Sequence, residues 1–258
     1  MYKTPEEIYK LTKEELLNIN GIGEAIAKEI IISKNEKILN YHIKYMKEKN
    51  IKIININERE YPQALKKIYD PPISLYVKGN IEKLNNKNIG IVGCRECTTY
   101  GKKSAEYFAY NLSKQNINIV SGLAKGIDSY AHLGSLNNGN TIAVLGNGLD
   151  MIYPKENLEL ANEIVKRGGT IISEYPCGTK PDKMKFPARN RIISGISSGI
   201  IVIEAKEKSG TLITVDFALE QGREVFVVPG NINSINSVGT NDLIKQGARL
   251  VTTYEDIS

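Results

Sequence analysis

Short apolar runs recur from residue 51 onward and predict buried β-strands. Six of them are four or five residues long and lack the polar alternation of a strand with one wet face. A seventh, weaker run precedes these six. The predicted strands are Ile51–Ile54, Ile89–Val92, Ile117–Val120, Thr141–Leu145, Thr170–Ser173, Ile200–Glu204 and Glu224–Val228. Such continuous runs indicate strands that are covered on both faces.

Amphipathic helices and glycine-containing loops separate these runs, and this order decides the fold class. Strands that alternate with helices form a parallel, doubly wound α/β sheet with right-handed crossovers. Between the first two runs, Tyr61-Pro62 predicts a short helix through Ile68, and Asp70-Pro71-Pro72 predicts a turn, because consecutive prolines cannot continue a helix.

The first fifty residues follow a different pattern and predict a small all-helical domain. Thr4-Pro5-Glu6-Glu7 is typical of a helix start, and Asn20–Gly23 predicts a turn before a second helix. The segment Lys34–Asn50 is mostly lysine, glutamate and asparagine, which indicates a largely exposed helix. We therefore predict domains at residues 1–50 and 51–258, with no strand before Ile51.

The turn in the helical domain has two interpretations. Leu17–Ala27 resembles a helix-hairpin-helix or SAM-like unit, in which a Gly-x-Gly turn presents backbone N–H groups to phosphates. The other interpretation is a plain helical turn in a packing domain, since the loop lacks lysine and arginine and Lys28 is the nearest cation.

Small, glycine-bearing loops follow nearly all strands of the predicted sheet. In such sheets ligands bind beyond the carboxyl ends of the strands, and backbone N–H groups at helix starts favour anions. A whole row of such loops suggests an extended anion, and a phosphodiester backbone is one. The loops are Gly93–Gly101, Ser121–Asp128, Gly146–Gly148, Glu174–Gly178, Lys206–Thr211 and Pro229–Asn231.

A basic segment, Lys180–Arg191, adds a sharper signal. It holds five cations, one acid and the aromatic residue Phe186. This pattern suits single-stranded nucleic acid, because the cations pair with phosphates while a base stacks on the ring. Arg95, in the loop after Ile89–Val92, is expected at the same edge of the sheet. The alternative is a solvated basic loop with Phe186 packed inward.

Composition and charge change this picture little. The net charge of +5 permits an anionic partner without demonstrating one. Three cysteines, with no disulfide-framework spacing, fit a reducing compartment. No apolar run is typical of a secretory signal or a membrane span, so we expect a cytoplasmic protein without membrane contact.

Several familiar cofactor sites are disfavoured. The first loop lacks the Gly-x-Gly-x-x-Gly of a dinucleotide site, and no loop ends in the Gly-Lys-Ser/Thr of a phosphate-binding NTPase. Cys94 and Cys97 form a Cys-x-x-Cys, but Cys177, His42 and His132 are the only further cysteine or histidine ligands and nothing places them nearby. We expect no metal or cofactor. His132 is interpreted as a structural histidine, and Asp128 as a partner of a helix N-terminus.

Long motifs in a fixed order resemble the DNA-processing protein A (DprA, or Smf) family. The resemblance runs from about Tyr61 to Gly247. The motifs are Asp70-Pro71-Pro72, Leu75–Asn80, Val120–Asp128 with Ala131-His132, Ala143–Gly146 with Gly148-Leu149-Asp150, Tyr153-Pro154, Phe186–Gly195 and Glu220–Arg223.

This resemblance implies a Rossmann-like domain that binds and protects single-stranded DNA. It further implies help in loading the recombinase RecA during natural transformation and DNA recombination, and a homodimer. No catalytic residues are known for the family, so no enzyme activity is expected. Arg189→Ala or Arg191→Ala is expected to weaken binding without unfolding the protein. The implied DNA-binding residues are Arg95, Ser121, Gly122, Lys125, Lys183, Phe186, Arg189, Asn190 and Arg191.

The chain departs from the family pattern at two places, and its early helices belong to the part that varies most in the family, so nothing is carried over to them. Cys94 stands where the family usually has the serine of a Gly-Ser-Arg turn, which replaces a hydroxyl donor with a weak one. The chain stops soon after Asp256, so we expect the winged-helix domain of many relatives to be absent.

Two other functions remain as alternatives. Glu204 with Ser209-Gly210-Thr211 faintly resembles nucleotide phosphoribohydrolases of the LOG type, which act on nucleoside monophosphates. Those enzymes have a catalytic glutamate soon after a Gly-Gly-x-Gly-Thr loop, whereas the next acid here is Asp216. The missing carboxylate argues against hydrolysis. The other alternative is a protein-recruiting scaffold that does not use the basic segment.

Overall fold

The computed structural model describes residues 5–257. By its internal contacts the chain divides into two compact units, the first ending at Asn50 and the second beginning at Ile51. Thr4, at the start of the first predicted helix, lies outside the described residues.

The first unit is helical throughout its described part. Its helices are α1 (Pro5–Lys10), α2 (Lys13–Leu17), α3 (Glu24–Ser33) and α4 (Glu36–Glu48). Leu11, Leu16 and Ala27 form its small core. A capping box begins α2, because the Thr12 hydroxyl accepts the Glu15 N–H and the Glu15 carboxylate accepts the Thr12 N–H. No residue of α4 is buried, as its polar composition predicts.

The second unit is built on a nine-stranded sheet in the order β1-β2-β6-β5-β4-β3-β7-β8-β9. Its strands are β1 (Ile51–Asn55), β2 (Ser74–Gly79), β3 (Asn88–Val92), β4 (Asn118–Ser121), β5 (Thr141–Leu145), β6 (Thr170–Ser173), β7 (Gly199–Val202), β8 (Glu224–Val227) and β9 (Arg249–Leu250). The pairs β1–β2 and β2–β6 are antiparallel, and every other pair is parallel. The predicted α/β class with a mostly parallel sheet is confirmed.

Six helices accompany the sheet and cover both of its faces. They are α5 (Thr99–Lys114), α6 (Ile127–Leu136), α7 (Leu158–Lys166), α8 (Lys185–Ile196), α9 (Gly210–Glu220) and α10 (Val238–Lys245). Ile91 of β3 belongs to a core cluster with residues of α5 and α6, whereas its neighbour Val92 belongs to a cluster with residues of α8 and α9. Since successive side chains of a strand point to opposite faces, one helix layer lies on each side.

The prediction missed β2 and β9 and overstated one helix. In β2 buried and more exposed positions alternate, unlike the continuous runs used to find the other strands. The two residues of β9 are both exposed. The helix predicted from Tyr61 through Ile68 is only a 3-10 turn at Leu65–Lys67.

The order of strands places one crevice at the carboxyl edge of the sheet. From β3 the chain builds outward through β4, β5 and β6, and then returns to place β7 on the other side of β3. The loops after β3 and β7 therefore diverge from a topological switch point, where ligands bind in open α/β sheets. Within residues 5–257, no helix combines the length and apolar character needed to cross a membrane.

Candidate functional site

A cleft of about 610 Å³ opens at this switch point. The loops that follow β3 and β7 and the starts of α6, α8 and α9 form its walls. Its charged and aromatic lining consists of Arg95, Glu96, Asp128, Tyr153, Lys183, Phe186, Arg189, Lys206 and Lys208. The structure therefore brings together five of the predicted site residues, which are Arg95, Lys183, Phe186, Arg189 and Asn190.

The loop that carries Arg95 is anchored on both sides. The Cys94 N–H donates to the Glu204 carbonyl at 2.9 Å, and the Cys94 carbonyl accepts from the Ile127 N–H at 3.2 Å. Gly126 lets the chain pass this close, because with φ at +78° a Cβ there would lie 2.3 Å from the carbonyl oxygens of Cys94 and Arg95. Arg95 itself is exposed. A fixed loop thus presents a solvated guanidinium to the cleft.

The Glu204 carboxylate is committed to holding the same loop. It is buried and accepts the Thr98 N–H at 2.9 Å and the Thr98 hydroxyl at 2.5 Å. Asp216 is exposed on α9 and does not line the cleft. A nucleotide hydrolase of the LOG type is therefore not favoured, because neither carboxylate is available in the cleft.

Arg189 lies in the floor of the cleft and is almost completely buried. Arg189 is only 5% exposed. Its Nη1 donates to the carbonyl oxygen of Gly122 at 2.6 Å and to that of Val144. Burial lowers its pKa to about 10, so the guanidinium stays protonated at neutral pH. These bonds join α8 to the ends of β4 and β5. The geometry is that of a positioning residue.

Asp128 is the buried counter-charge of Arg189. Its carboxylate accepts N–H groups from Gly122 at 3.0 Å and from Ala124 at 3.3 Å. Burial raises the pKa of this carboxyl, and the charge of Arg189 opposes the rise. Asp128 lies in the first turn of α6, so its interpretation as a partner of a helix N-terminus is confirmed.

Ser121 and Gly122 are buried and are absent from the lining of the cleft. The Ser121 hydroxyl donates to the Ile91 carbonyl at 2.7 Å. The Gly122 N–H and carbonyl are both engaged, with Asp128 and Arg189. A Cβ at Gly122 would sit 2.2 Å from Nη1 of Arg189, so only glycine leaves room for the guanidinium.

Arg191 and Lys125 point to acids outside the cleft. The Arg191 guanidinium makes a two-pronged pair with Glu174, at 2.8 and 2.7 Å, and its Nε donates to the Asp70 carbonyl at 3.0 Å. The Lys125 ammonium pairs with Glu156 at 2.6 Å. The expectation that Arg189→Ala or Arg191→Ala weakens binding without unfolding the protein stays a prediction, and these bonds add that either change should lower stability. Truncating Arg189 would leave the carbonyls of Gly122 and Val144 without this donor, and truncating Arg191 would leave the Glu174 carboxylate without its partner.

Phe186 reaches the cleft but is half-buried. A Cβ at Gly146 would lie 3.0 Å from its Cδ1, so this edge of the ring rests on the Gly146 backbone. The Tyr153 ring stacks on Phe186 with centroids 5.5 Å apart and planes at 27°. The aromatic residue predicted from the sequence thus has an unpredicted aromatic neighbour.

Two cations of the cleft, Lys206 and Lys208, were missed as site residues. They follow the predicted strand Ile200–Glu204, and Lys206 pairs with Glu96 of the Arg95 loop at 3.3 Å. The feature that could have identified them is the strand order, because the chain returns after β6 and places β7 beside β3. Had the strand order been derived, these lysines would have been expected opposite Arg95.

The cysteines and His132 have the surroundings of structural residues. Cys94, Cys97 and Cys177 are free thiols whose pKa values are raised by burial. His132 is fully buried with Nδ1 2.7 Å from the Thr141 hydroxyl, and burial lowers its pKa to about 3. It is therefore neutral, and its interpretation as a structural histidine is confirmed. Among residues 5–257, no three His, Cys, Asp or Glu side chains are grouped as a metal site.

Comparison with known proteins places these features in one family. The family model of DNA recombination-mediator protein A matches residues 52–258. The chain is 47% identical over 213 residues to the DNA processing protein DprA of Bacillus subtilis, which covers 82% of this chain and 71% of that protein. It is 40% identical over 275 residues to DprA of Streptococcus pneumoniae, which covers 98% of this chain and 97% of that protein.

Two solved structures are similar along most of the chain. The X-ray structure of Streptococcus pneumoniae DprA has a TM-score of 0.85 at 40% identity and covers 96% of this chain and 85% of that one. A structure of Helicobacter pylori DNA processing protein A, described for its single-stranded DNA binding mode, has a TM-score of 0.74 at 32% identity and covers 80% and 93%. The chain therefore belongs to the DNA recombination-mediator protein A family, that of DprA and Smf.

Proposed function

We propose that this protein binds single-stranded DNA in the switch-point cleft and mediates DNA recombination through that binding, without chemistry of its own. The observation that carries the proposal is the joint lining of one cleft by exposed cations and by aromatic rings. The relative from Helicobacter pylori, described by its mode of single-stranded DNA binding, supports the same function here.

The lining favours a single strand over a duplex. Exposed ammonium and guanidinium groups bind phosphates of either form, and this term is strongly salt-dependent. An aromatic ring adds stacking only where bases are unstacked, so Tyr153 and Phe186 are useful chiefly for a single strand. Two acids line the cleft: Asp128 holds N–H groups of the Gly122–Ala124 turn, and Glu96 pairs with Lys206.

We also propose four more specific properties, on the basis of family membership. They are protection of the strand, help in loading RecA during natural transformation, a cytoplasmic location and a homodimer. Of the predicted residues, we keep Arg95, Lys183, Phe186 and Asn190 as candidates for direct contact. We assign Ser121, Gly122 and Arg189 to the layer that supports the cleft.

The test is the fluorescence anisotropy of a labelled oligothymidine and of a duplex of the same length over a salt series. We expect tight, salt-sensitive binding of the single strand. Arg95→Ala and Lys183→Ala should each weaken it and flatten the plot of log K against log salt by about 0.7 per lost phosphate contact. Lys114→Ala, an exposed lysine of α5 outside the cleft, is the matched control. Absence of binding at low salt, or equal affinity in all three variants, would refute the proposal.

A further inference from the structure

The exposed aromatic surface of the cleft belongs to Tyr153 rather than to Phe186. Tyr153 is 46% exposed, whereas Phe186 is half-buried with one edge against Gly146. The two rings are nearly parallel, at 27° with centroids 5.5 Å apart, so Tyr153 covers part of one face of Phe186. A base that enters the cleft therefore finds more accessible ring surface on Tyr153 than on Phe186.

The surroundings of Tyr153 suit a ligand better than a purely structural role. The Tyr153 ring is 46% exposed, so part of its surface is accessible to a base. The residue lines the same cleft as the exposed cations Arg95 and Lys183. Phosphates held by those cations would place a flanking base within reach of the ring.

We propose that Tyr153 is the base-stacking platform of the cleft and that Phe186 is the support that holds this ring in place. The inference rests on the proposed binding of single-stranded DNA and deepens it. The base takes the outer face of Tyr153, which extends the Phe186–Tyr153 stack by one ring. Tyr153 thereby confers the preference for unstacked bases, while the cations supply affinity for any phosphate chain.

The composition of the chain offers a direct optical test. The protein has no tryptophan, so Tyr153→Trp introduces a single indole at the platform. Tyr110 provides the matched control, since it is 45% exposed on α5 and does not line the cleft. We expect titration with oligothymidine to quench and shift the emission of Tyr153→Trp, and to leave that of Tyr110→Trp unchanged.

Affinity variants separate stacking from folding. Tyr153→Ala should weaken oligothymidine binding by about tenfold or more, as expected for loss of one base–aromatic stack, while Tyr153→Phe and Tyr110→Ala stay near the wild type. With an abasic strand of the same length, which keeps the phosphates, wild type and Tyr153→Ala should bind alike.

Three results would overturn the inference. One is wild-type affinity of Tyr153→Ala for oligothymidine, another is an equal loss for oligothymidine and the abasic strand, and the third is an unquenched indole at position 153. If the wild-type protein binds oligothymidine and Arg95→Ala weakens it, any of these results removes the role of Tyr153 and leaves the proposed function standing. If the wild type binds no single strand, the proposed function itself fails.

Discussion

Replacing Arg189 with alanine removes the guanidinium that donates to the carbonyls of Gly122 and Val144 and whose charge interacts with that of the Asp128 carboxylate. All of these groups are buried. Breaking a buried charge pair by deleting one partner typically costs about 3–5 kcal/mol, because the remaining charge is left without compensation. Folded domains are stable by about 5–15 kcal/mol in total, so such a loss is a large share.

Urea unfolding followed by far-ultraviolet circular dichroism measures this loss. We expect the midpoint for Arg189→Ala to fall by about 1 M or more, given slopes of about 1–3 kcal/mol per molar urea. Arg95→Ala is the matched control from the same cleft. Its side chain is exposed, and surface substitutions usually change the free energy of unfolding by about 0.5 kcal/mol or less.

The companion variant Asp128→Asn tests whether the two charges act together. If they do, the double variant Asp128→Asn/Arg189→Ala is less destabilised than the sum of the single changes, since no lone charge stays buried. The reasoning is refuted if Arg189→Ala is as stable as Arg95→Ala while its oligothymidine affinity is lost. That result would make Arg189 a direct phosphate ligand instead of a support.

Two further predictions follow from buried groups. Burial lowers the pKa of His132 to about 3 in the folded protein, so below pH 6.5 the unfolded chain takes up a proton that the folded protein does not. The free energy of unfolding should therefore fall as the pH decreases from 6.5 towards 3, by up to roughly 5 kcal/mol. His132→Gln should flatten urea midpoints over that pH range, and an unchanged slope would contradict this. Gly126→Ala should destabilise the fold by roughly 1–3 kcal/mol and weaken oligothymidine binding, because its Cβ would collide with the carbonyls that position Arg95. Gly210→Ala, where a Cβ meets no atom within 4 Å, should melt like the wild type, and equal melting of the two variants would be inconsistent with the tight turn at Gly126.

The parallel core of the fold was predictable because its strands are buried on both faces. Thr141–Leu145 and Thr170–Ser173 were placed with the bounds that the structure has, and all residues of both are buried. Where only part of a strand is buried the same signal fails, as it does in the alternating strand Ser74–Gly79. That strand pairs antiparallel on both sides, which continuous apolar runs do not indicate.

That several predicted residues would share one cleft was also predictable, but the partners of its cations were not. Treating Lys180–Arg191 as one basic segment ignored that its second half is helical from Lys185. On a helix, Phe186, Arg189 and Asn190 share a face, since they are three and four residues apart, and Arg191 points elsewhere. The cleft is lined by these three, and Arg191 pairs with Glu174 outside it.

Helical spacing alone would still have left Arg189 as a candidate phosphate ligand. The burial of Arg189 decides its role, and this burial depends on Gly122, which lies against the guanidinium. Gly122 leaves a space that the guanidinium fills, and the carbonyls and carboxylate around it supply partners that water would otherwise provide. Its Nη1 is committed to the carbonyls of Gly122 and Val144, so a contact with a phosphate would have to come from Nε or Nη2. The cleft therefore has a buried layer that sets its shape and an exposed layer that we propose binds DNA. Substitutions in the first should lower stability before affinity, and substitutions in the second should lower affinity at unchanged stability.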